Sequence, residues 1–365
     1  MTPRTTAALT RRTFTIGVVG VLATVGLAGC GSDKKTTASG STTTAAGPTT
    51  TSAPTTIRVG YFPNITHAPA LVGVNQGLFQ KALGADTLDA SKTFNAGPAE
   101  VEALLSGAID AAFIGPGPAV NAFQTSKGAV KVIAGVASGG AGLVVKPEIT
   151  SVDQLKGKTI ADPQLGGTQD IALRSFLKSK GFQTDTTGGG DVHIKPQDNS
   201  QTIDTFKAGS IDGAWVPEPF LSRLILEGKG NLLVDERTLW PNGQFIVTNL
   251  LVTTKFLQAH PTTVQHLIEG LQDSIDFISS SPDAAAKAAN DQINKLTQKP
   301  LSDAVVAAAF KNMTFTTDPL ADTLRLTTQH GADVGVLKDT NTEGIYDVTI
   351  LNAVLKARGK PEVKA

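Results

Sequence analysis

Three turns hold the residues best suited to chemistry. The first reads Tyr61, Phe62, Pro63, Asn64, Ile65, Thr66, His67; another reads Gly115, Pro116, Gly117, Pro118; a third reads Gly166, Gly167, Thr168, Gln169. Each follows a short apolar run and precedes a stretch of helical period, so each joins a strand to a helix. The first N–H groups of a helix lack partners within it, and the helix dipole places partial positive charge at the same end. Several such ends aimed into one cleft would bind an anion without any lysine or arginine, and these turns contain none. Small residues at Gly115 and Gly117 let backbone N–H groups come close to a ligand. Asn64 or Thr66 can cap the helix that follows. His67 is either a ligand contact or a donor to a loop carbonyl.

Residues for other chemistry are missing or dispersed. The chain has no nucleophile elbow, no HExxH and no P-loop, so an enzyme is not expected. His193, His260, His266 and His330 have no metal spacing between them, and neither a metal nor a cofactor is expected. Gly188, Gly189 and Gly190 lack a following helix motif and read as a surface loop. Asp170 can pair with Arg174 one helical turn on. Trp240 and Tyr346 read as packing residues.

The elements that must position the turns alternate strand and helix, which argues for parallel sheets covered by helices. Strands are expected at Ile57–Tyr61, Ala111–Ile114, Val130–Val136 and Gly142–Val145, with helices at Ala68–Phe79, Ala99–Ser106 and Pro118–Thr125. The rhythm changes at Lys146 and Pro147, where the chain is expected to leave the first sheet. Ser151 then caps a short turn, followed by strands at Lys158–Ala161, Val192–Lys195 and Gly213–Val216. Helices fall at Thr168–Lys180 and Gln201–Ala208, and Pro217 is placed to start another that runs to Glu227. The β-branched run Phe245–Thr254 returns to the first sheet, and beyond it the chain reads as helical. Two crossovers around an inserted α/β segment describe two doubly wound lobes joined by a two-stranded hinge, able to close on a ligand. The expected division is 57–147 with 245–365 for one lobe and 148–244 for the other.

The N-terminus reads as an export signal. Arg4, Arg11 and Arg12 precede an uncharged apolar stretch, Ile16–Ala28, too short to span a bilayer comfortably. Leu27, Ala28, Gly29 and Cys30 resemble the lipobox of bacterial lipoproteins, which implies cleavage before Cys30 and lipid on its sulfur. Thr10 to Phe14 resembles a twin-arginine signal, although plain Sec signals also carry paired arginines. Gly31 to Thr56, rich in Thr, Ser, Ala, Gly and Pro, is expected to be a flexible tether. Removing residues 1–29 leaves 29 basic against 32 acidic side chains, a formal charge of about −3 with no basic stripe for nucleic acid. The protein is therefore expected as a monomer, lipid-anchored on the extracytoplasmic face of the cell membrane.

Taken as a set, four segments resemble a family: YFPNITHAPALVGVNQGLF (Tyr61–Phe79), AFIGPGPA (Ala112–Ala119), LKGKTIADPQLGGTQDIALRSFL (Leu155–Leu177) and WVPEP (Trp215–Pro219). They are similar to the nitrate, sulfonate and taurine binding proteins of ABC importers, over most of residues 57–275. The resemblance implies a type II periplasmic-binding-protein fold, a small anionic ligand in the interlobe cleft, and delivery to a permease with a cytoplasmic ATPase. It places Asn64, Thr66, His67, Gly115, Pro116, Gly117, Gly167, Thr168 and Gln169 in the cleft. It also implies that Trp215 packs on the ligand's apolar part, and that Glu218 holds an amino group or makes a hinge contact; beside an anion, a carboxylate must otherwise point away into a salt bridge. Pyrimidine thiamine precursors and phosphonates bind to other relatives of this fold, and an enzyme or sensor lipoprotein could use it without an importer. The absence of a basic clamp favours a sulfonate or another weakly hydrated anion over a dianion.

Overall fold

The computed structural model describes residues 53–365; the signal segment, Cys30 and the tether up to residue 52 lie outside the described residues. The end of the expected tether belongs to the fold. The Thr55 N–H donates to Asp86 Oδ1 at 2.8 Å, and Thr56 opens the first strand.

Eleven strands form two sheets among the described residues. In chain order they are β1 (Thr56–Gly60), β2 (Thr87–Asp89), β3 (Ala111–Ile114), β4 (Val130–Gly139), β5 (Ala141–Val145), β6 (Thr159–Asp162), β7 (His193–Pro196), β8 (Gly213–Pro217), β9 (Asn231–Asp235), β10 (Ile246–Thr253) and β11 (Met313–Phe315). The first lobe holds a six-stranded sheet in the order β11-β4-β10-β3-β1-β2, and the second a five-stranded sheet in the order β7-β6-β8-β5-β9. Both sheets are mixed rather than parallel. β10 runs antiparallel to β3 and β4, and β5 antiparallel to β8 and β9, because the crossing strands enter each sheet from the other lobe.

The first crossover comes earlier than the change of rhythm at Lys146 and Pro147. Gly140, at φ 69°, is the single residue between β4 and β5, and Ala141–Val145 pairs wholly within the second sheet. The return falls between β9 and β10, and β11 then adds an edge strand to the tail that reads as helical.

Packing follows strand alternation. In β8, Trp215 faces one core while Ala214 and Val216 face the other; in β5, Leu143 and Val145 oppose Val144 in the same way. In β3, Ala111 and Phe113 lie on one side of the sheet, Ala112 and Ile114 on the other. Central strands covered on both faces therefore read as continuous apolar runs.

The expected helix Ala68–Phe79 is broken into Ala68–Asn75 and Leu78–Leu83. Gly77, at φ 67°, turns the chain so that the Phe79 ring lies against Gly73, where an added Cβ would come within 2.3 Å of it. Pro217 ends β8 instead of starting a helix, and the next helix is Phe220–Leu226. Asp170 and Arg174 do pair, at 2.6 Å, with both side chains fully buried.

Candidate functional site

A cavity opens where strand ends of both lobes lead into helices. The first lobe contributes Phe62, Asn64, Thr66 and His67 after β1, Asn95, Ala96 and Gly97 after β2, Gly115 and Pro118 after β3, and Val247 from β10. The second contributes Pro163, Gly167, Thr168 and Gln169 after β6, Asn199 after β7, and Pro217 at the end of β8. Space within reach of a water molecule's centre amounts to about 30 Å³. None of these sixteen lining residues is an acid, a lysine or an arginine.

Four helices begin at this cavity: Gly97–Leu105, Pro116–Thr125, Thr168–Ser179 and Asn199–Lys207. None has a side-chain bond at its N-cap residue, Ala96, Gly115, Gly167 or Asp198. Their dipoles therefore meet the cavity uncapped, which favours negative charge there. Two polar atoms at its wall, Thr168 Oγ1 and Asn199 Oδ1, are buried without a hydrogen-bond partner.

His67 is buried against Phe62, with ring centroids 4.3 Å apart. Its Nδ1 accepts from the Phe62 N–H at 3.3 Å, so the remaining proton sits on Nε2. Burial pushes its pKa down to about 3, and the ring enters any interaction as a neutral donor. It accepts from the loop rather than donating to a carbonyl. Neither Asn64 nor Thr66 caps a helix: the Asn64 side chain makes no cap bond, and His67 occupies the N-cap position of Ala68–Asn75.

The structure thus brings Asn64, Thr66, His67, Gly115, Gly167, Thr168 and Gln169 to one cavity. Pro116, Gly117, Trp215 and Glu218 do not line it. Pro116 and Pro118 have no N–H, which leaves Gly117 the sole donor among the first three residues of their helix. Gly117 lies against the other lobe, where an added Cβ would meet Ile171 Cδ1 at 2.7 Å. Gly115 is more tightly confined, with 2.2 Å from an added Cβ to Thr168 Oγ1. These glycines admit the facing helix of the second lobe.

Trp215 is a core residue of the second lobe. It packs on Phe176, and its Nε1–H donates to Glu236 Oε2 at 2.7 Å. Burial raises the Glu236 pKa from 4.5 to about 7. Below pH 4.5 both folded and unfolded chains hold this proton; as pH rises, the unfolded chain releases it first, so stability is lost between about 4.5 and 7. That loss is expected to reach about 3 kcal/mol. Urea denaturation at pH 5 and pH 8 should reveal it, and Glu236→Gln should flatten the dependence; an unchanged difference would contradict the assignment.

Glu218 makes a hinge contact with uncharged partners. Its Oε1 accepts from Asn312 Nδ2 at 2.7 Å and Ser222 Oγ at 2.8 Å, and its N–H donates to Gly140 O at 2.7 Å. Asn312 immediately precedes β11 of the first lobe, so this buried carboxyl ties the second lobe to the crossover and to the tail. Burial raises its pKa.

The turn Asn95–Ala96–Gly97 and the start of the helix at Asn199 reach the cavity in addition to the three turns. The first carries a visible signal, since Gly97 and Pro98 open a helix much as Gly115 and Pro116 do. Asn199 begins its helix two residues before the expected Gln201. Val247 and Pro217 reach the cavity only through sheet order, which leaves no local signal.

Among the described residues no helix is long and apolar enough to cross a membrane, and no group of three His, Cys, Asp or Glu could hold a metal ion. Residues 50–292 match the NMT1-like family. A Brucella abortus protein named only as a binding protein is 28% identical over 232 residues, 62% of this chain and 68% of that protein. The taurine-binding periplasmic protein of Escherichia coli is 30% identical over 220 residues, 60% of this chain and 66% of that protein. In three dimensions, the alkanesulfonate-binding protein of Xanthomonas axonopodis pv. citri, solved with MOPS bound, superposes with a TM-score of 0.67 at 20% identity, covering 79% of this chain and 96% of that one. With its two lobes, mixed sheets and interlobe cavity, the chain is a solute-binding protein of the NMT1-like family.

Proposed function

We propose that the protein captures a small oxyanion, with a sulfonate-type or nitrate-type head group, between its lobes and passes it to the permease of an ABC importer driven by a cytoplasmic ATPase. In this reading Cys30 carries a lipid that holds the protein at the outer face of the cell membrane, and residues 57–140 with 246–365 act as one lobe against 141–235. The observation that supports capture is the meeting of four uncapped helix N-termini, two from each lobe, at a cavity without a charged side chain. Helix ends and hydroxyl or amide groups suit a weakly hydrated anion, because they return the hydrogen bonds it loses on leaving water. The alkanesulfonate and taurine ligands in the names of similar proteins agree with that chemistry.

Native mass spectrometry of protein purified without stripping, followed by calorimetry with a panel of sulfonates, nitrate, phosphonates and pyrimidines, tests the reading. A carried or added oxyanion at one per chain is the expected result. Binding of pyrimidines alone would overturn it. With the ligand in hand, Thr168→Ala should weaken binding by about 1 to 2 kcal/mol with little change in the unfolding midpoint, as for one hydrogen bond to a charged group. Unchanged affinity by calorimetry would place the ligand away from Thr168.

A further inference from the structure

The cavity's charge inventory separates two chemistries that share a sulfonate head. Resting on the capture reading above, we infer that the ligand is a singly charged oxyanion carrying no cationic substituent, and that the site selects against zwitterions such as aminosulfonates. An ammonium group drawn into the closed cleft would need a carboxylate beside it, because burying an unpaired charge is costly.

No acid lines the cavity, and Asp198, beside the lining Asn199, is exposed. Glu218 is held by Ser222 and Asn312 at the hinge. Asp170 accepts from Arg174 and from the Gly166 N–H at 2.8 Å. Glu100 is fully buried over Gly60 with neither carboxyl oxygen hydrogen-bonded; an added Cβ at Gly60 would meet its Oε1 at 2.6 Å, and burial raises its pKa well above the usual range. Asp162, which precedes the lining Pro163, is buried beside Asp170 with neither oxygen hydrogen-bonded; burial and that second carboxyl raise its pKa well above the usual range. What the cavity does present is a neutral imidazole, a hydroxyl, amides and helix ends, a set matched to one negative charge.

Taurine and propane-1-sulfonate test this directly, since they have nearly the same shape and differ by an ammonium in place of a methyl. Calorimetry at pH 7.5 on the folded protein should find propane-1-sulfonate or nitrate bound at least about 30-fold more tightly than taurine, a ratio set by the cost of an unpaired charge. Asn199→Asp, which puts a carboxylate in the cavity at constant shape, should lower that ratio at least about tenfold. Taurine binding within threefold of the others, or more tightly, would overturn the inference, and loss of that binding in Asp162→Asn would identify Asp162 as the ammonium partner. If no member of the panel binds, the capture reading fails, and this inference with it.

Discussion

Gly115→Val should weaken ligand binding about 100-fold while moving the unfolding midpoint of the ligand-free protein very little. The effect comes from closure. An added Cβ at residue 115 would lie 2.2 Å from Thr168 Oγ1 and 3.2 Å from Thr168 Cβ, across the interface between the lobes. Valine adds two further methyl groups at that point, so the helix that starts at Thr168 cannot reach its present position. The backbone of Gly115, at φ −69° and ψ 158°, accepts any residue, so the change does not strain the first lobe itself. Overpacking of this kind costs about 1 to 3 kcal/mol, and because it falls only on the closed state it appears as lost affinity. Calorimetry and thermal unfolding of the same preparation check both halves. An affinity within threefold of the parent would show that ligand is held without approach of Gly115 to Thr168.

Arg174→Met should destabilise the second lobe by about 3 to 5 kcal/mol, the usual effect of removing one partner of a buried ion pair. Arg174 and Asp170 are 1% and 0% exposed and 2.6 Å apart, and the Asp162 carboxyl lies in the same cluster without a hydrogen-bond partner. The guanidinium bonds one of these carboxyls and attracts the other only through space. It also donates to the Asp185 carbonyl at 2.5 Å, tying the helix to the loop beyond it. Removing it leaves Asp170 uncompensated, and Asp170 in turn holds the Gly166 N–H in the turn that carries the cavity-lining Gly167. Urea denaturation should show the loss, and adding Asp170→Asn to Arg174→Met should recover part of it, since the unpaired charge is then removed. A loss below about 1 kcal/mol would mean that water reaches the cluster and compensates it.

Much of the site was legible in residue types. A glycine, proline or hydroxyl residue placed between an apolar run and a helical period marks a strand-to-helix turn, and seven of the residues that the resemblance places in the cleft lie in three such turns and line the cavity. The strand at Ala111–Ile114 was read to the residue, because a central strand covered on both faces has no polar position. Trp215 cannot be placed from its neighbours, because a tryptophan two residues before a proline looks the same whether it packs on a ligand or on Phe176. Glu218 could not be assigned from its neighbours in the chain, since a partner that holds it, Asn312, lies 94 residues away. The crossover is not legible locally because Val132–Ala137 and Ala141–Val145 are both unbroken apolar runs and a single residue, Gly140, separates the two strands. Their division between sheets depends on which strands they pair with.

Local patterning in this chain determined which segments become strands and helices, where the turns lie, and that the turns carry amide and hydroxyl chemistry without fixed charge. These properties depend on a few neighbouring residues, through periodicity, backbone freedom and capping. Tertiary structure decided which helix ends share a cavity, that Gly115 and Gly117 make room for the opposite lobe, and that no carboxyl lines that cavity. Those outcomes depend on pairing and packing between residues far apart along the chain, a relation that local spacing does not encode.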